Sequence, residues 1–316
     1  MSTPTVRIGT RGSALALWQA YHIASLITAG GLQPEIIIIE TKGDKILDKS
    51  LSKIGSKGVF TAELEEGLRD KSIDIAVHSA KDLQSELPED LEIIAFTERE
   101  TTNDVLVSFN KQVSLADGNP WIIGTSSTRR IAMLKHFFPH IKTVDMRGNL
   151  QTRLRKLQEK QCDAIILAYA GVHRMNYDEH IVAHLSLDQF TPAVGQGSVA
   201  VESARHLDIY KRQIIRESCN HPSTEACLLA ERAYLSKLQG GCSIPVFALA
   251  TLSNHILSIR GGIISLDGKQ LIQKSFQRTS QEAALLGNQL AEEVLRAGGD
   301  KILHDIKSTL KEIRLG

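Results

Sequence analysis

The sequence has little of what would assign it quickly to a class of protein. Its formal net charge is only +1, because 37 Lys and Arg residues face 36 Asp and Glu residues. Aromatic residues make up 5% of the chain, and an aliphatic run such as Ile36–Ile39 is far too short to cross a bilayer. The near-neutral total argues against a polyanionic partner, and the composition excludes a disordered chain and collagen.

Cysteine is equally scarce. None of the four cysteines stands in a CxxC pair or near paired histidines, which argues against a zinc site. The N-terminal residues run directly into a strand pattern and then a helix pattern, unlike a secretory signal. We therefore expect free thiols in a reducing cytoplasm. The cysteines are Cys162, Cys219, Cys227 and Cys242.

The near-zero net charge conceals a separation of positive and negative residues along the chain. Residues 121–160 contain nine Lys and Arg against two acidic residues, whereas residues 81–120 contain three against nine. Such separation can focus a positive potential that attracts an anionic ligand. Oppositely charged, solvated helix faces would give the same counts, so both interpretations stay open here.

Two series of alternating strand and helix patterns predict two α/β domains with mostly parallel sheets. IGTRGSALAL (8–17) resembles IGTSSTRRIAML (123–134). IDIAVHSAKD (73–82) likewise resembles CDAIILAYAG (162–171). This likeness predicts two similar domains that face each other across a cleft. The tail differs, since a helix over 223–238 precedes three strand patterns and two helices, which indicates a separate α+β domain.

Each α/β series contains a strand, a Gly-Thr pair and a loop rich in Ser and Arg before a helix. Ligands bind at such strand ends, where helix N-termini present free N–H groups. Hydroxyl, amide and guanidinium groups together predict a carboxylate or phosphate site, although Ser13 and Ser127 could also be ordinary helix caps. The candidates are Arg11, Ser13, Thr125, Ser126, Ser127, Arg129 and Arg130.

Two further segments carry charge beside predicted strand or helix ends. Lys81 and Asp82 follow the strand in HSAKDL, where an ionised carboxylate could stabilise a cation or move a proton. A surface ion pair is the alternative. In RGNLQTRLRKL (147–157), Arg153 and Arg155 point to different helix faces. Nucleic acid fits this basic run poorly, because no aromatic residues interleave with it.

Cys242 lies in QGGCSIP, a Gly-rich turn that follows a helix end and precedes Pro245. Such a position is accessible, whereas Cys162 and Cys227 lie in apolar segments and are expected to be inert. No His or Asn partner is evident in the sequence. The residues alone therefore leave open whether Cys242 is a functional nucleophile.

Together these motifs resemble the porphobilinogen deaminase family, whose members are also called hydroxymethylbilane synthases. The match runs nearly end to end, from RIGTRGSALALWQA through KIGSKGVF, DIAVHSAKD, GTSSTRR, RGN, TRL, PAVGQG and AERAYL to GGCSIP. The resemblance implies two type II periplasmic-binding-protein-like α/β domains around a cleft and a smaller C-terminal α+β domain. The implied domains are residues 1–98 with 196–216, residues 103–192, and residues 220–316, the last carrying the cofactor cysteine.

The resemblance also implies an activity. Members of the family join four porphobilinogen molecules head to tail into the linear tetrapyrrole hydroxymethylbilane, releasing ammonia each time, on a covalent dipyrromethane cofactor. Cys242 matches the thioether attachment position. Asp82 matches the catalytic aspartate, which stabilises the azafulvenium cation formed when the amino group leaves. The implied protein is a cytoplasmic monomeric transferase of porphyrin and heme biosynthesis that involves no metal, nucleic acid or membrane.

The other site residues are carried over by resemblance as well. Cofactor contacts are implied for Lys81, Asp82, Thr125, Ser126, Ser127, Arg129, Arg130 and Arg153. Substrate contacts are implied for Arg11, Ser13, Arg147, Arg174 and Gln196. Lys53 and Lys57, with Phe60, match a mobile lid, and we expect the lid to close over residues 42–58. One departure is Ala80-Lys81-Asp82-Leu83-Gln84, where members more often have Met-Lys-Asp-Val-Pro. Without that proline we expect a looser loop after Asp82.

Two other classes of protein compete with this interpretation. A two-domain receptor for small anions would explain the paired loops without any chemistry, but it gives the C-terminal domain and Cys242 no role. A nucleic-acid-binding protein would explain residues 121–160 alone and predicts an affinity that falls steeply with salt.

Overall fold

A computed structural model of the chain describes residues 3–41, 43, 61–241 and 243–315. These residues form two compact units. Unit 1 comprises residues 3–41, 43, 61–100 and 197–225, and unit 2 comprises residues 101–196, 226–241 and 243–315. The chain passes from one unit to the other after residues 100, 196 and 225. The division into three domains stays a prediction.

Strands and helices alternate through most of the chain. The strands are β1 (Thr5–Thr10), β2 (Gln33–Ile38), β3 (Ile75–Ser79), β4 (Leu91–Phe96), β5 (Asp104–Val107), β6 (Ile122–Gly124), β7 (Lys142–Val144), β8 (Ala164–Ala168), β9 (Ile181–His184), β10 (Val199–Ala204), β11 (Val246–Ser253), β12 (Ile256–Ile264) and β13 (Leu271–Thr279). The α-helices are α1 (Ala14–Ala29), α2 (Ala62–Arg69), α3 (Thr128–Phe137), α4 (Leu150–Gln158), α5 (Tyr169–Arg174), α6 (Ile209–Cys219), α7 (Pro222–Lys237), α8 (Ala283–Val294) and α9 (Asp300–Leu315). Of the helices in the described ranges, none is both long and apolar enough to cross a membrane.

Unit 1 is built on a five-stranded sheet in the order β2-β1-β3-β10-β4. Strands β1, β2 and β3 run parallel, and β10 inserts antiparallel between β3 and β4. Helix α1 packs on one face through Ile23 and Ile27, which lie one turn apart and are fully buried. Helix α2 packs on the other face through Leu64 and Leu68. The ends of β1 and β3 are thereby held beside the start of α1.

Unit 2 contains a second sheet of the same plan, in the order β7-β6-β8-β5-β9. Strands β6, β7 and β8 run parallel, and β5, the antiparallel strand, follows the passage of the chain from unit 1. In unit 1 the antiparallel strand β10 follows the return of the chain from unit 2. This repeated topology is the type II periplasmic-binding-protein-like arrangement. The predicted α/β class and the mostly parallel direction of the strands are confirmed.

The C-terminal part of unit 2 is an antiparallel meander of β11, β12 and β13 with α8 packed across it. The turn between β12 and β13 contacts α3. His136 Nδ1 lies 2.6 Å from the Gly268 carbonyl oxygen, and Lys135 Nζ donates to the Leu266 carbonyl oxygen at 3.0 Å. These contacts attach the predicted α+β segment to α3 and help to explain why it belongs to unit 2.

The periodicity of the sequence does not predict β9, β10 or α6. Strand β10 reads VAVESA, in which Glu202 and Ser203 look like surface residues although both are fully buried. Helix α6 begins with Ile209 and Tyr210, which are 81% and 56% exposed and so blur its apolar face. Both elements depend on tertiary contacts that local patterns do not contain.

Candidate active site

The first predicted anion loop joins β1 to α1 in unit 1. Ser13 caps α1, because its Oγ accepts a hydrogen bond from Ala16 N at 3.3 Å. Arg11 precedes the cap and is half-buried. Both Arg11 and Ser13 also line an open hollow in unit 1. Capping by Ser13 is thus confirmed, and it does not prevent the same loop from facing a ligand.

The hollow has a volume of about 70 Å³, which leaves room for a few water molecules or one carboxylate group. Asp82, the last residue of the 3-10 helix that follows β3, borders it and is exposed. Its neighbour Lys81 is half-buried. The lining residues are Arg11, Ser13, Leu15, Ala16, Gln19, Thr61, Val77, His78, Ser79 and Asp82.

Three buried titratable side chains of unit 1, Glu65, His78 and Glu202, form what we call the acidic layer. His78 Nε2 lies 2.9 Å from Glu202 Oε2, and the two side chains are 4% and 0% exposed. Glu65 on α2 is also buried, and its Oε1 accepts a hydrogen bond from Thr61 Oγ1 at 2.6 Å. His78 lines the hollow, and so does Thr61, the hydrogen-bond partner of Glu65. The acidic layer therefore borders the hollow.

Gln84 stands where the family more often has proline, and it connects the loop after Asp82 to α2. Its Nε2 donates to Glu65 Oε1 at 2.9 Å, with Thr61 Oγ1 at 3.4 Å. The loop after Asp82, which the loss of proline was expected to loosen, is therefore held by a side-chain hydrogen bond that the sequence did not predict. A side-chain hydrogen bond to a buried carboxylate restrains the loop where a proline ring would have fixed its backbone.

Unit 2 holds a buried group of the opposite character, Asp104, Arg129, Arg130 and Gln196, which we call the arginine cluster. Asp104 begins β5 and is fully buried. Arg129 Nη2 donates to its Oδ2 at 2.8 Å, and Arg130 Nη2 donates to its Oδ1 at 2.7 Å. Gln196 Nε2 donates to the same Oδ1 at 3.0 Å and to the Thr102 carbonyl oxygen at 2.7 Å. The cluster thus joins three predicted site residues to one carboxylate.

Two guanidinium groups and one carboxylate leave the arginine cluster with a surplus of one positive charge. Burial alone would raise the pKa of Asp104, but the charges of Arg129 and Arg130 outweigh it and hold that pKa well below its ordinary value. Burial lowers the pKa of Arg129, and Asp104 opposes this effect. Arg130 Nε is buried with no hydrogen-bond partner among the described residues. One net positive charge and the N–H of Arg130 Nε are therefore available to bind an anion.

The second predicted anion loop directly precedes α3. Ser127 caps the helix by accepting a backbone hydrogen bond at 3.5 Å, and Thr125 is buried. Ser126 Oγ donates to the Met146 carbonyl oxygen at 2.8 Å and accepts from Met146 N at 3.0 Å. This reciprocal pair ties the hydroxyl loop to the neighbouring turn, which carries Arg147.

The arginines of the basic segment 147–157 point in different directions, as the helical spacing predicts. Arg147 Nε lies 3.1 Å from Asp145 Oδ2, and Arg153 Nε donates to the Gly148 carbonyl oxygen of the same turn at 2.8 Å. Arg155 is 63% exposed and pairs with an acidic residue one helical turn later. Arg153 on α4 is therefore tied to the turn that carries Arg147, and Arg155 lies apart from it.

Arg174, the last residue of α5, is half-buried. The predicted residues Cys242, Lys53, Lys57 and Phe60 lie outside the described residues, as does most of the predicted lid over 42–58. Burial raises the pKa of Cys162 to about 11 and that of Cys219 to about 12, so both thiols stay protonated and unreactive at neutral pH. Cys227 is buried as well. In the described part of the chain, no three His, Cys, Asp or Glu side chains come together as a metal site.

Sequence reasoning did not select Asp104, Glu202 or Gln19. Gln19 is buried on α1, and its Nε2 donates to Ser79 Oγ at 2.7 Å beside the hollow. An acidic residue within an apolar strand is a usable signal for Asp104 and Glu202, because a carboxylate is fully buried only with partners. Gln19 carries no comparable signal.

Comparison with known proteins decides the family. Residues 6–210 match a family model described as "Porphobilinogen deaminase, dipyromethane cofactor binding domain", and residues 225–296 match the "Porphobilinogen deaminase, C-terminal domain". The chain belongs to the porphobilinogen deaminase family. A porphobilinogen deaminase from Cytophaga hutchinsonii is 56% identical over 98% of this chain and 99% of its own. Another from Desulfosudis oleivorans is 50% identical over 96% and 98%.

The family's cofactor is a dipyrromethane, whose pyrroles carry acetate and propionate groups, so the described residues must offer sites for carboxylates. They fit this demand. The arginine cluster has a surplus positive charge and the unpartnered Arg130 Nε, and the N-terminus of α3 presents hydroxyl groups beside it. The side chains suited to hold the cofactor's carboxylates are Thr125, Ser126, Ser127, Arg129, Arg130 and Arg153.

Proposed function

We propose that this protein condenses four porphobilinogen molecules head to tail into hydroxymethylbilane, with release of ammonia at each step, as a transferase. One observation carries the proposal: among the described residues that line the hollow of unit 1, Asp82 is the one carboxylate and lies there with Arg11, while unit 2 keeps buried positive charge for carboxylates. A dipyrromethane held through Cys242 supplies, when bound, the pyrrole carbon that is extended.

Asp82 is the proposed catalytic carboxylate. When ammonia leaves, the substrate ring becomes a cation whose charge extends to its ring N–H. A carboxylate already in place stabilises that charge without reorganisation and accepts the N–H hydrogen bond. The strand β3 and the short 3-10 helix fix the position of Asp82, and its exposure gives a substrate access to it.

Substrate carboxylates are the proposed ligands of the remaining cations. In unit 1 the hollow places Arg11 and Ser13 beside Asp82, so one carboxylate bound there holds the reacting ring near the catalytic group. In unit 2, Arg147 is proposed for a second substrate carboxylate, and Arg153, which donates to the Gly148 carbonyl oxygen of the same turn, is assigned to the cofactor. Arg174 and the neutral Gln196 complete the proposed substrate contacts, Lys81 is assigned to the cofactor, and Lys53, Lys57 and Phe60 are assigned to a lid.

Further parts of the proposal concern the setting in which the enzyme works. The buried free thiols of Cys162 and Cys219 suit a reducing compartment, so we assign the protein to the cytoplasm. A monomer of three domains, with residues 220–316 carrying the cofactor, is also part of the proposal. The meander of β11, β12 and β13 supports it as a sheet distinct from the other two.

The direct test is incubation of the purified protein with porphobilinogen, followed by measurement of ammonia and, after acid and oxidation, of porphyrin absorbance. We expect one ammonia for each porphobilinogen consumed, and porphyrin colour. A small-anion receptor would bind porphobilinogen without releasing ammonia. Binding with neither ammonia nor colour, from protein shown to be folded, would overturn the proposal in favour of the receptor.

A further inference from the structure

The buried contact between His78 and Glu202 has no part in the chemistry proposed above, yet the sheet fixes it firmly. In the antiparallel pair of β3 and β10, His78 stands opposite Ala200, and Ala76 stands opposite Glu202. Residues two apart on a strand share a face, so His78 and Glu202 are diagonal neighbours on one face of the sheet. The backbone register therefore makes the two side chains neighbours, and Nε2 lies 2.9 Å from Oε2.

Glu202 is placed where a bare negative charge is costly. Its side chain is 0% exposed, and within the described residues its Oε1 has no hydrogen-bond partner. An uncompensated buried carboxylate costs several kcal/mol, so it takes up a proton or pairs with a cation. His78 is the group in contact with it, and a proton shared between these two side chains makes the pair neutral.

The other charged groups around the pair do not replace that proton. Arg69 on α2 is 41% exposed, and its Nε donates to Asp90 at 2.6 Å at the edge of the unit. Glu65, from the same helix, is a second buried acid, and its Oε2 lies 3.8 Å from Arg69 Nη2, so Arg69 is shared with two other carboxylates. Among the described residues, Arg69 from α2 interacts electrostatically with Glu202, and Arg11 from the loop after β1 and Asp82 from the 3-10 helix line the same hollow as His78.

The shared proton can be placed in two ways, which form one coupled system. Either His78 is an imidazolium beside an ionised Glu202, or a neutral His78 accepts at Nε2 from a protonated Glu202. In both arrangements Nδ1 carries a hydrogen. Since Glu202 occupies Nε2 and His78 lines the hollow, Nδ1 is the nitrogen through which the pair can exchange a proton with a bound group.

We propose that His78, supported by Glu202, is a second proton-carrying residue of the active site, which works beside Asp82. This proposal rests on the proposed function. His78 Nδ1–H gives its proton to the substrate's amino group as the C–N bond breaks, and the electron pair of that bond leaves with ammonia. After the new C–C bond forms, the proton on the joined ring carbon returns to Nδ1, and its C–H electron pair restores the ring. No other reactant is needed, and the pair is reloaded at each step.

The test compares His78→Gln and Glu202→Gln with the wild type. A glutamine at 78 can still donate a hydrogen bond to Glu202 but cannot carry a proton, so structure and proton transfer are separated. Cofactor loading by intact mass and thermal unfolding establish that each variant is folded. We expect kcat to fall by about 100-fold or more with little change in KM, and one titration step to vanish from the pH profile of kcat.

A matched control is His304→Gln on α9, an exposed histidine remote in sequence from the hollow, which should keep the wild-type kcat and pH profile. An unchanged kcat in His78→Gln would overturn the proposal. A reduced kcat with an unchanged pH profile would also overturn it, because that pattern indicates a purely structural role. Absence of turnover in the wild type would instead reject the proposed function itself.

A readout independent of turnover is the ¹⁵N NMR spectrum of the imidazole nitrogens in the wild-type protein. The resonances missing from His78→Gln, or shifted in Glu202→Gln should the first variant fail to fold, identify His78. At neutral pH we expect a protonated Nδ1. A bare, pyridine-like Nδ1 at neutral pH would overturn the proposal even if every variant were inactive.

Discussion

The acidic layer of unit 1 and the arginine cluster of unit 2 balance buried charge in opposite ways. The acidic layer buries two carboxylates, Glu65 with Arg69 3.8 Å away and Glu202 beside His78, a group that can hold a proton. The arginine cluster buries two guanidinium groups around one carboxylate, Asp104. Each region keeps an unbalanced charge. A proton would neutralise the acidic layer, whereas an anion would neutralise the arginine cluster.

A surplus of buried acid binds protons, whereas a surplus of buried guanidinium binds anions, because arginine cannot lose its proton in a protein. The comparison therefore assigns two tasks to two regions. Unit 1, with Asp82 beside the acidic layer, suits proton and cation chemistry. Unit 2, with Arg130 Nε still available, suits the holding of carboxylates. Variants that change one region should affect the corresponding task.

Asp104→Asn should break the arginine cluster and have the largest effect. The substitution leaves two buried guanidinium groups without their carboxylate, so we expect the free energy of unfolding to fall by about 3–5 kcal/mol. Urea unfolding measures this loss. The control is Asp188→Asn, which removes an exposed partner of Arg260 and should cost less than about 1 kcal/mol. Equal effects of the two substitutions would contradict the importance of the cluster.

The same comparison has a defined pH dependence. Because the folded pKa of Asp104 is held below its ordinary value, its contribution to stability is complete above the unfolded pKa of about 3.9. That contribution is lost as the pH falls through the lower folded pKa. The stability difference between wild type and Asp104→Asn should thus stay constant from about pH 7 to pH 5 and shrink below about pH 4. A difference that already shrinks at pH 6 would contradict this assignment.

Asp82→Asn should affect unit 1 without affecting stability. The side chain is exposed, so the free energy of unfolding should change by less than about 0.5 kcal/mol. Turnover should fall by about 100-fold to 1,000-fold, because a neutral amide stabilises a developing cation far less than a carboxylate does. Ammonia release measures the loss, and Asp305→Asn on α9 serves as an exposed control. Near-normal turnover in Asp82→Asn would reject its catalytic role.

Gln84→Ala should give the smallest effect and sharpen the description of the acidic layer. It removes the hydrogen bond to the buried Glu65 Oε1, so we expect a loss of about 1 kcal/mol in the free energy of unfolding. Turnover should fall less than in Asp82→Asn. Gln213→Ala removes a similar bond on the exposed face of α6 and should change stability very little. Wild-type stability in Gln84→Ala would show that the hydrogen bond to Glu65 does not restrain the loop.

Local features of the site could be predicted from the sequence. Ser13 and Ser127 cap their helices as expected, because a cap depends on residues within one turn. The divergence of Arg153 from Arg155 follows from helical spacing alone. The two α/β series were also evident, since each strand and helix carries its own pattern.

Features that depend on distant partners could not be predicted in this way. Asp104 meets Arg129 across 25 positions, and Glu202 meets His78 across 124. Strand β10 looks partly polar for the same reason, since Glu202 is tolerated in the sheet only because the fold brings His78 to it. The return of the chain to the first sheet was inferred from the family resemblance and not from periodicity.

The most direct test of the central claim is the intact mass of the purified protein. Membership of the family, the cationic cluster and the place of Cys242 in the sequence QGGCSIP together predict a covalent dipyrromethane on that cysteine. The measured mass should exceed the sequence mass by one dipyrromethane, and Cys242→Ala should abolish both the excess and the turnover. An active protein whose mass equals that of its sequence would contradict the claim.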